Sequence, residues 1–321
     1  MKDGIKGFRS FSDSIAGALE ERRNLNVDKL CTTGIPFLDK HFVAIHPNSL
    51  YVITADSGVG KTSMISLIAQ HNMDKDIPVA CLFLEGDSTE FEKVQTWKQL
   101  VKLKLREGPV PNNFNYAHYR VNALSGIEDL ERKAEEMVLK RYGKILLLNR
   151  EEVVNSETIE GILTRISKTV SLIVIDHLHY FDKTFSETQN KEITTIMKKL
   201  QKFTDVMGVP VILVAHVKKP FGKRMIIMDK YDVKGSSSIY QEADECIMFA
   251  QYLDDPEHDI MSDLAPTLIR VVKSRSGISS MLIGKHIFDR VEKEYRKEFT
   301  EYRLVENYYD RDNRIMYPQK L

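Results

Sequence analysis

Short runs that are apolar at nearly every position alternate along this chain with longer stretches whose apolar residues recur at helical spacing. The runs Leu50–Thr54, Val79–Leu84, Ile145–Leu148, Leu172–Ile175, Val209–Ala215, Ile247–Ala250 and Leu268–Val272 predict strands. Several carry no polar face, which suits a parallel sheet covered by helices on both sides. Helical patterns lie between them near 61–73, 88–106, 126–142, 156–168 and 188–206. Gly208-Val209-Pro210 closes the last of these and opens a strand. Before the first strand, Phe11, Ile15 and Leu19 follow Ser10 at four-residue spacing and predict a short amphipathic helix over 8–24. The tail Tyr302–Tyr317 alternates around Asp310-Arg311-Asp312-Asn313 and predicts an antiparallel hairpin. No internal repeat interrupts this order. The pattern predicts one doubly wound, mainly parallel α/β domain over 28–321, preceded by a helical arm over 1–27.

Composition narrows the function more than the fold. With 42% hydrophobic residues in 321, a packed core is affordable and wholesale disorder is excluded. Lys plus Arg and Asp plus Glu each number 46, so any nucleic acid must be held by a local basic surface and not by a global field. Cys31, Cys81 and Cys246 stand far apart. That spacing argues against a disulfide framework or a zinc site and fits a reducing compartment. The start, MKDGIKGFRS, lacks the apolar run of a signal peptide, and no stretch has the length of a membrane span. The expectation is a cytoplasmic protein, bacterial or made by a phage in its host, with no membrane partner.

The strongest chemical signal is Ala55-Asp56-Ser57-Gly58-Val59-Gly60-Lys61-Thr62-Ser63, between the strand at Leu50–Thr54 and a helix. A phosphate needs converging backbone N–H groups at a helix start, where the dipole also favours negative charge. Gly58 and Gly60 permit that backbone path. Lys61 is placed to reach the β- and γ-phosphates, and the Thr62 hydroxyl to ligate Mg²⁺. The first glycine of the usual pattern is replaced by Ala55.

Other strand ends supply the remaining candidates. Leu172–Ile175 ends in Asp176, a second magnesium candidate. Val79–Leu84 ends in Glu85, the candidate for orienting the attacking water, with Asp87 and Glu90 as alternatives. Val209–Ala215 ends in His216, which at the ligand edge of a sheet can meet a γ-phosphate. His177 and His179 have the HxH spacing of metal ligands, but no third ligand stands nearby in sequence, and a structural role is favoured.

Taken together, the chain resembles the RecA-like motor domain of DnaB-type hexameric helicases, nearest the branch of phage primase–helicases and mitochondrial Twinkle. The matching elements are Thr33-Gly34 with Leu38-Asp39, ADSGVGKT, Leu84-Glu85, Ile173 to His177 and Val214 to Lys218. They continue with Lys234 to Ser238, Gln241 to Asp244 and Lys273-Ser274-Arg275. Ala at the first phosphate-loop position is common in that family. The likeness runs from about residue 28 to the end.

The resemblance implies a ring, hexameric or heptameric, that hydrolyses ATP, dTTP or another NTP with Mg²⁺, moves 5′ to 3′ on single-stranded DNA and separates the strands of a replication fork. It implies Glu85 as catalytic carboxylate, Asp176 as magnesium residue and His216 as γ-phosphate sensor. Arg275 becomes an arginine finger for the neighbouring subunit's nucleotide, assisted by Lys273. Residues 218–238 become the DNA-facing loop. From 218 to 234 this loop holds basic Lys218, Lys219, Lys223, Arg224, Lys230 and Lys234 against acidic Asp229 and Asp232. Gly235, Ser236 and Ser237 add donors for phosphates. The arm over 8–24 matches a linker helix that docks on an adjacent subunit. A separate primase, polymerase or loader is the expected partner. Two rival classes remain: a RecA/RadA- or KaiC-like ATPase that assembles without unwinding, and a non-hydrolysing scaffold, against which the set Lys61, Glu85 and Asp176 speaks. A charged segment, Ile287–Tyr302, separates Arg275 from the final hairpin, with no role assigned.

Overall fold

The computed structural model describes residues 11–55, 60–84, 89–111, 113–148, 152, 154–178, 187–217, 237–252, 263–278, 280–292, 294–310 and 315–320. In chain order, the first elements are helices α1 (Phe11–Asn24) and α2 (Pro36–Phe42), strand β1 (Leu50–Ala55), helix α3 (Lys61–Met73) and strand β2 (Val79–Phe83). Helices α4 (Glu90–Glu107), α5 (Tyr116–Arg120) and α6 (Glu128–Tyr142) follow, then β3 (Leu146–Leu147), α7 (Ile159–Ile166) and β4 (Leu172–Asp176). The chain continues with α8 (Glu187–Met207), β5 (Val211–His216), α9 (Ser237–Glu242) and β6 (Glu245–Gln251). It closes with β7 (Leu264–Ser274), β8 (Leu282–Asp289), β9 (Glu294–Asp310) and β10 (Ile315–Lys320).

The chain divides into two compact units, residues 1–30 and 31–321. The first contains α1, whose Phe11, Ile15 and Leu19 are all exposed. The second is built on one sheet in the order β10-β9-β8-β7-β6-β1-β5-β4-β2-β3. Strands β6, β1, β5, β4, β2 and β3 run parallel, and β7 to β10 extend the sheet antiparallel from β6.

Strand alternation explains the two layers. Leu50 and Val52 of β1 join Ile173, Ile175 and Leu213 on one face, against Ile162 of α7 and Ile196 and Leu200 of α8. Tyr51, Ile53 and Ala55 join Val174, Ile212 and Val214 on the other, against Phe37 of α2 and Ile65 and Ile68 of α3. A strand whose odd and even positions are both buried reads as a continuous apolar run. A third cluster, around Trp97, Leu100, Phe114 and Leu130, packs α4 against α5 and α6.

The segment 287–302 is not an excursion from the fold. It forms the end of β8, a turn, and the first half of β9. The expected hairpin at the tail is the pair β9–β10. Among the described residues no helix is long and apolar enough to cross a membrane.

Candidate functional site

The carboxyl ends of adjacent parallel strands meet at one edge of the sheet. Ala55 pairs with His216 across β1 and β5, Ile175 pairs with Leu213 across β4 and β5, and Phe83 pairs with Asp176 across β2 and β4. This register gathers Ala55, His216 and Asp176 from positions far apart in sequence.

Gly60 caps α3 in the left-handed region, φ 86° and ψ 37°, where a side chain is strained. The turn delivers Lys61 and Thr62 to the start of the helix, and the Met64 amide donates to the Gly60 carbonyl at 2.9 Å. Lys61 Nζ donates to the Ala55 carbonyl at 3.0 Å, which holds the ammonium at the end of β1. The Thr62 hydroxyl donates to Asp176 Oδ2 at 2.8 Å, although 114 positions separate them. A hydroxyl and a buried carboxylate side by side are a hard oxygen donor set of the kind Mg²⁺ takes. The Leu84 amide donates to the Asp176 carbonyl at 2.6 Å, so the chain leaving β2 stays beside Asp176 as far as the residue before Glu85. Beyond Asp176, His177 Nε2 and His216 Nε2 lie 2.8 Å apart.

Asp39 explains the motif ahead of β1. Its Oδ1 accepts from the Thr33 amide and hydroxyl, each at 2.7 Å, and its Oδ2 from the Gly34 amide at 2.8 Å. Gly34 has φ 71°, and a Cβ there would meet the His71 ring at 2.7 Å, so only glycine fits. The motif ties the chain ahead of α2 to α2 itself, and Thr32 just before it bonds His71 and Asn72 of α3.

Lys273 and Arg275 lie at the opposite edge. Glu245 opens β6 beside Tyr51 and faces Ser274 at the end of β7. Arg275 Nη1 pairs with Asp244 Oδ1 at 2.5 Å, and Asp244 Oδ2 accepts from the Leu50 amide at 2.8 Å. Arg275 is thus tied to the amino end of β1, five residues from Ala55, or roughly 17 Å at strand rise. Its side chain does not span that distance to Ala55. Lys273 Nζ donates to the carbonyls of Tyr240 (2.7 Å) and Gln241 (2.8 Å) near the end of α9. Burial, and then the Arg275 charge, push the Lys273 ammonium below the usual lysine range.

The family model described as "DnaB-like helicase C terminal domain" matches residues 31–284. The chain belongs to that family. It is 26% identical over 261 residues to the "Replicative DNA helicase DnaB" of Mycoplasma pneumoniae, covering 75% of this chain and 50% of the relative. The chain therefore spans about half the length of that curated relative. Among solved structures, one described as an "ATPase Domain" superposes with a TM-score of 0.72 at 14% identity, covering 91% of this chain and 99% of that one. "The Structure Of A DnaB-Like Replicative Helicase And Its Interactions With Primase" gives 0.68 at 16% identity, covering 92% and 68%. At such identities these two speak to the fold, which is the RecA-like α/β architecture.

Several site residues expected in this DnaB-like chain fall outside the described residues: Asp56, Ser57, Gly58, Val59, Glu85, Lys218, Lys219, Lys223, Arg224, Lys234, Gly235 and Ser236. So do Asp87 and His179. Ser63 lies in the first turn of α3, Ser237 is exposed at the start of α9, and Val217 follows the end of β5. Glu90, the other alternative base, has Oε2 3.3 Å from Arg120 Nε. Two contributors have roles that no motif states. Asp244 holds both β1 and Arg275, and its signal was only its place in Gln241-Glu242-Ala243-Asp244. Phe288 of β8 lies where a Cβ on Gly60 would come within 3.9 Å, a proximity without any local sequence mark.

Proposed function

We propose that this chain is the motor of a ring-shaped replicative DNA helicase, which couples NTP hydrolysis to movement on single-stranded DNA and to unwinding. The observation that carries the reading is the two-edged layout of a DnaB-like domain. Lys61, Thr62 and Asp176 share one edge of the sheet, and Arg275 sits at the other, out of reach of Ala55. A ring of such subunits presents the Arg275 edge of one to the phosphate edge of the next, so the composite site exists only after assembly. The family as a whole is nucleotide-dependent and requires Mg²⁺.

In this reading the backbone amides from Ala55 to Ser63 and the Lys61 ammonium hold the phosphates, and Thr62 with Asp176 holds the metal. Bound Mg²⁺·NTP supplies the transferable phosphoryl group and the metal that offsets its charge. Glu85 takes the proton of the attacking water. His216 donates to the γ-phosphate and passes its state to the chain after β5. Arg275, with Lys273 beside it, stabilises charge developing on the neighbour's nucleotide. Residues 218–238 face DNA, positioning phosphates without reading sequence. The exposed Phe11, Ile15 and Leu19 stripe of α1 docks on an adjacent subunit, and a separate primase, polymerase or loader completes the fork assembly.

The test is unwinding of a forked duplex by the purified chain with Mg²⁺ and each NTP, read beside electron microscopy of the particles. Rings that separate strands only with hydrolysable NTP are expected. Neutralising Lys218, Lys223 and Arg224 together is expected to weaken single-strand binding and flatten its salt dependence, because fewer counterions are released. DNA-stimulated hydrolysis with filaments and no strand separation would favour the assembly-ATPase reading instead.

A further inference from the structure

We propose that His177 is the positioning residue for the sensor His216, fixing both the orientation of its ring and the nitrogen that carries its proton. This rests on the reading of His216 as the γ-phosphate sensor. His177 follows Asp176 directly and is 5% exposed. Its ring meets that of His216 edge-on, with centroids 4.1 Å apart, an interplanar angle of 70° and the two Nε2 atoms 2.8 Å apart. The pair closes across the ends of β4 and β5, which are neighbours in the sheet. The ring of the proposed sensor is therefore tied to the residue that follows Asp176.

The chemistry of that contact is restrictive. Two neutral imidazoles share an Nε2-to-Nε2 hydrogen bond only in complementary tautomers, one Nε2 protonated and the other bare. The nitrogen of His216 not turned to His177 is Nδ1. Phosphate oxygens are strong acceptors, so a phosphate contact made with the pair intact needs a proton on Nδ1. That leaves Nε2 of His216 bare, accepting from Nε2–H of His177. The reverse arrangement sets a lone pair of His216 against a phosphate oxygen. His177 thus selects the donor form of the sensor, as outer partners orient metal-bound histidines.

Two substitutions in the full chain separate positioning from packing. His177→Phe keeps an aromatic ring and removes the hydrogen bond, whereas His177→Gln retains an N–H donor at similar reach. The expected result for His177→Phe is a KM for ATP within about twofold of wild type and a kcat lower by about 10- to 100-fold. His177→Gln is expected to recover most of the lost kcat. A second readout is the ¹⁵N spectrum of histidine-labelled protein bound to ADP and beryllium fluoride, assigned with His216→Gln. Wild type is expected to show His216 protonated on Nδ1, and His177→Phe a mixture of tautomers. A wild-type kcat in His177→Phe, or a wild-type His216 protonated on Nε2, overturns the proposal. If His177→Phe does not fold, the wild-type spectrum and the kinetics of His177→Gln decide it. His216→Ala tells the two claims apart. Full turnover there removes the sensor reading and this proposal with it. Lost turnover there, beside full turnover in His177→Phe, overturns this proposal alone.

Discussion

Lys61, Thr62 and Asp176 converge because a glycine-capped helix start faces the end of a neighbouring parallel strand, and the Thr62-to-Asp176 bond of 2.8 Å records that convergence. Hydrolysis at such an edge also needs a group that takes a proton from water. Glu85→Gln is expected to bind Mg²⁺·ATP normally and to lose turnover by about 100- to 10,000-fold, since an amide accepts no proton. Equilibrium nucleotide binding and single-turnover hydrolysis check this, and a variant turning over at the wild-type rate would move the base to Asp87. Individual residues were legible in the sequence where their signal is local. Gly60, Lys61 and Thr62 lie within one short motif, and Asp176 ends an unbroken apolar run. The partnership of His177 with His216 was not legible, because it depends on β4 lying beside β5. The HxH spacing pointed instead at His179, two residues along the same chain. Asp244 was visible as part of a motif, but its double hold on Leu50 and Arg275 needed the register of β6 against β1 and β7.

The elements follow the same rule. Continuous apolar runs marked β1, β2, β4, β5 and β6, because both faces of these strands are covered. Strand β8 went unmarked, since Lys285 and His286 interrupt its apolar positions although both are buried. The charged stretch 287–302, which includes the end of β8, carries no role in the sequence alone. Its charges instead pin the β8–β9 turn to α4, with Lys102 Nζ 2.9 Å and Lys98 Nζ 3.8 Å from Glu294 Oε1 and Trp97 Nε1 donating to the Val291 carbonyl at 3.0 Å. His286 stacks on Phe299 with centroids 5.2 Å apart, and burial holds its pKa down at about 4 against an ordinary 6.5. The unfolded chain takes up that proton below about pH 6.5, while the folded chain resists until about pH 4. Stability from this site is therefore complete above pH 6.5 and lost as pH falls toward 4, up to about 3 kcal/mol in all. His286→Phe is expected to flatten the acid side of the stability profile. Denaturant midpoints at several pH values, read by Trp97 fluorescence, measure it, and an unaltered slope would place the acid sensitivity elsewhere. Helix α1 supplies a second expectation at this scale. Deleting residues 1–24 is expected to leave the motor folded and to weaken ring assembly, and sedimentation of an unchanged oligomer would show that its apolar stripe does not bridge subunits.

For the whole molecule the central feature is the separation of Lys61 and Thr62 from Arg275, at opposite edges of one sheet, with Asp244 holding Arg275 at the foot of β1. In the function proposed above, a subunit so built would hold nucleotide at one edge and offer a guanidinium at the other, which would place turnover at the interface between copies. Loss of an arginine finger costs on the order of a thousandfold or more in turnover. The most direct measurement mixes two variants, Arg275→Ala and Glu85→Gln, each assembled as rings and each expected to bind ATP and hydrolyse it at that reduced level. In mixed rings some interfaces pair an intact Glu85 with an intact Arg275 from the next subunit. ATPase activity is therefore expected to rise on mixing well above that of either variant alone. Rings of Arg275→Ala that hydrolyse ATP at the wild-type rate, before any mixing, would contradict the account.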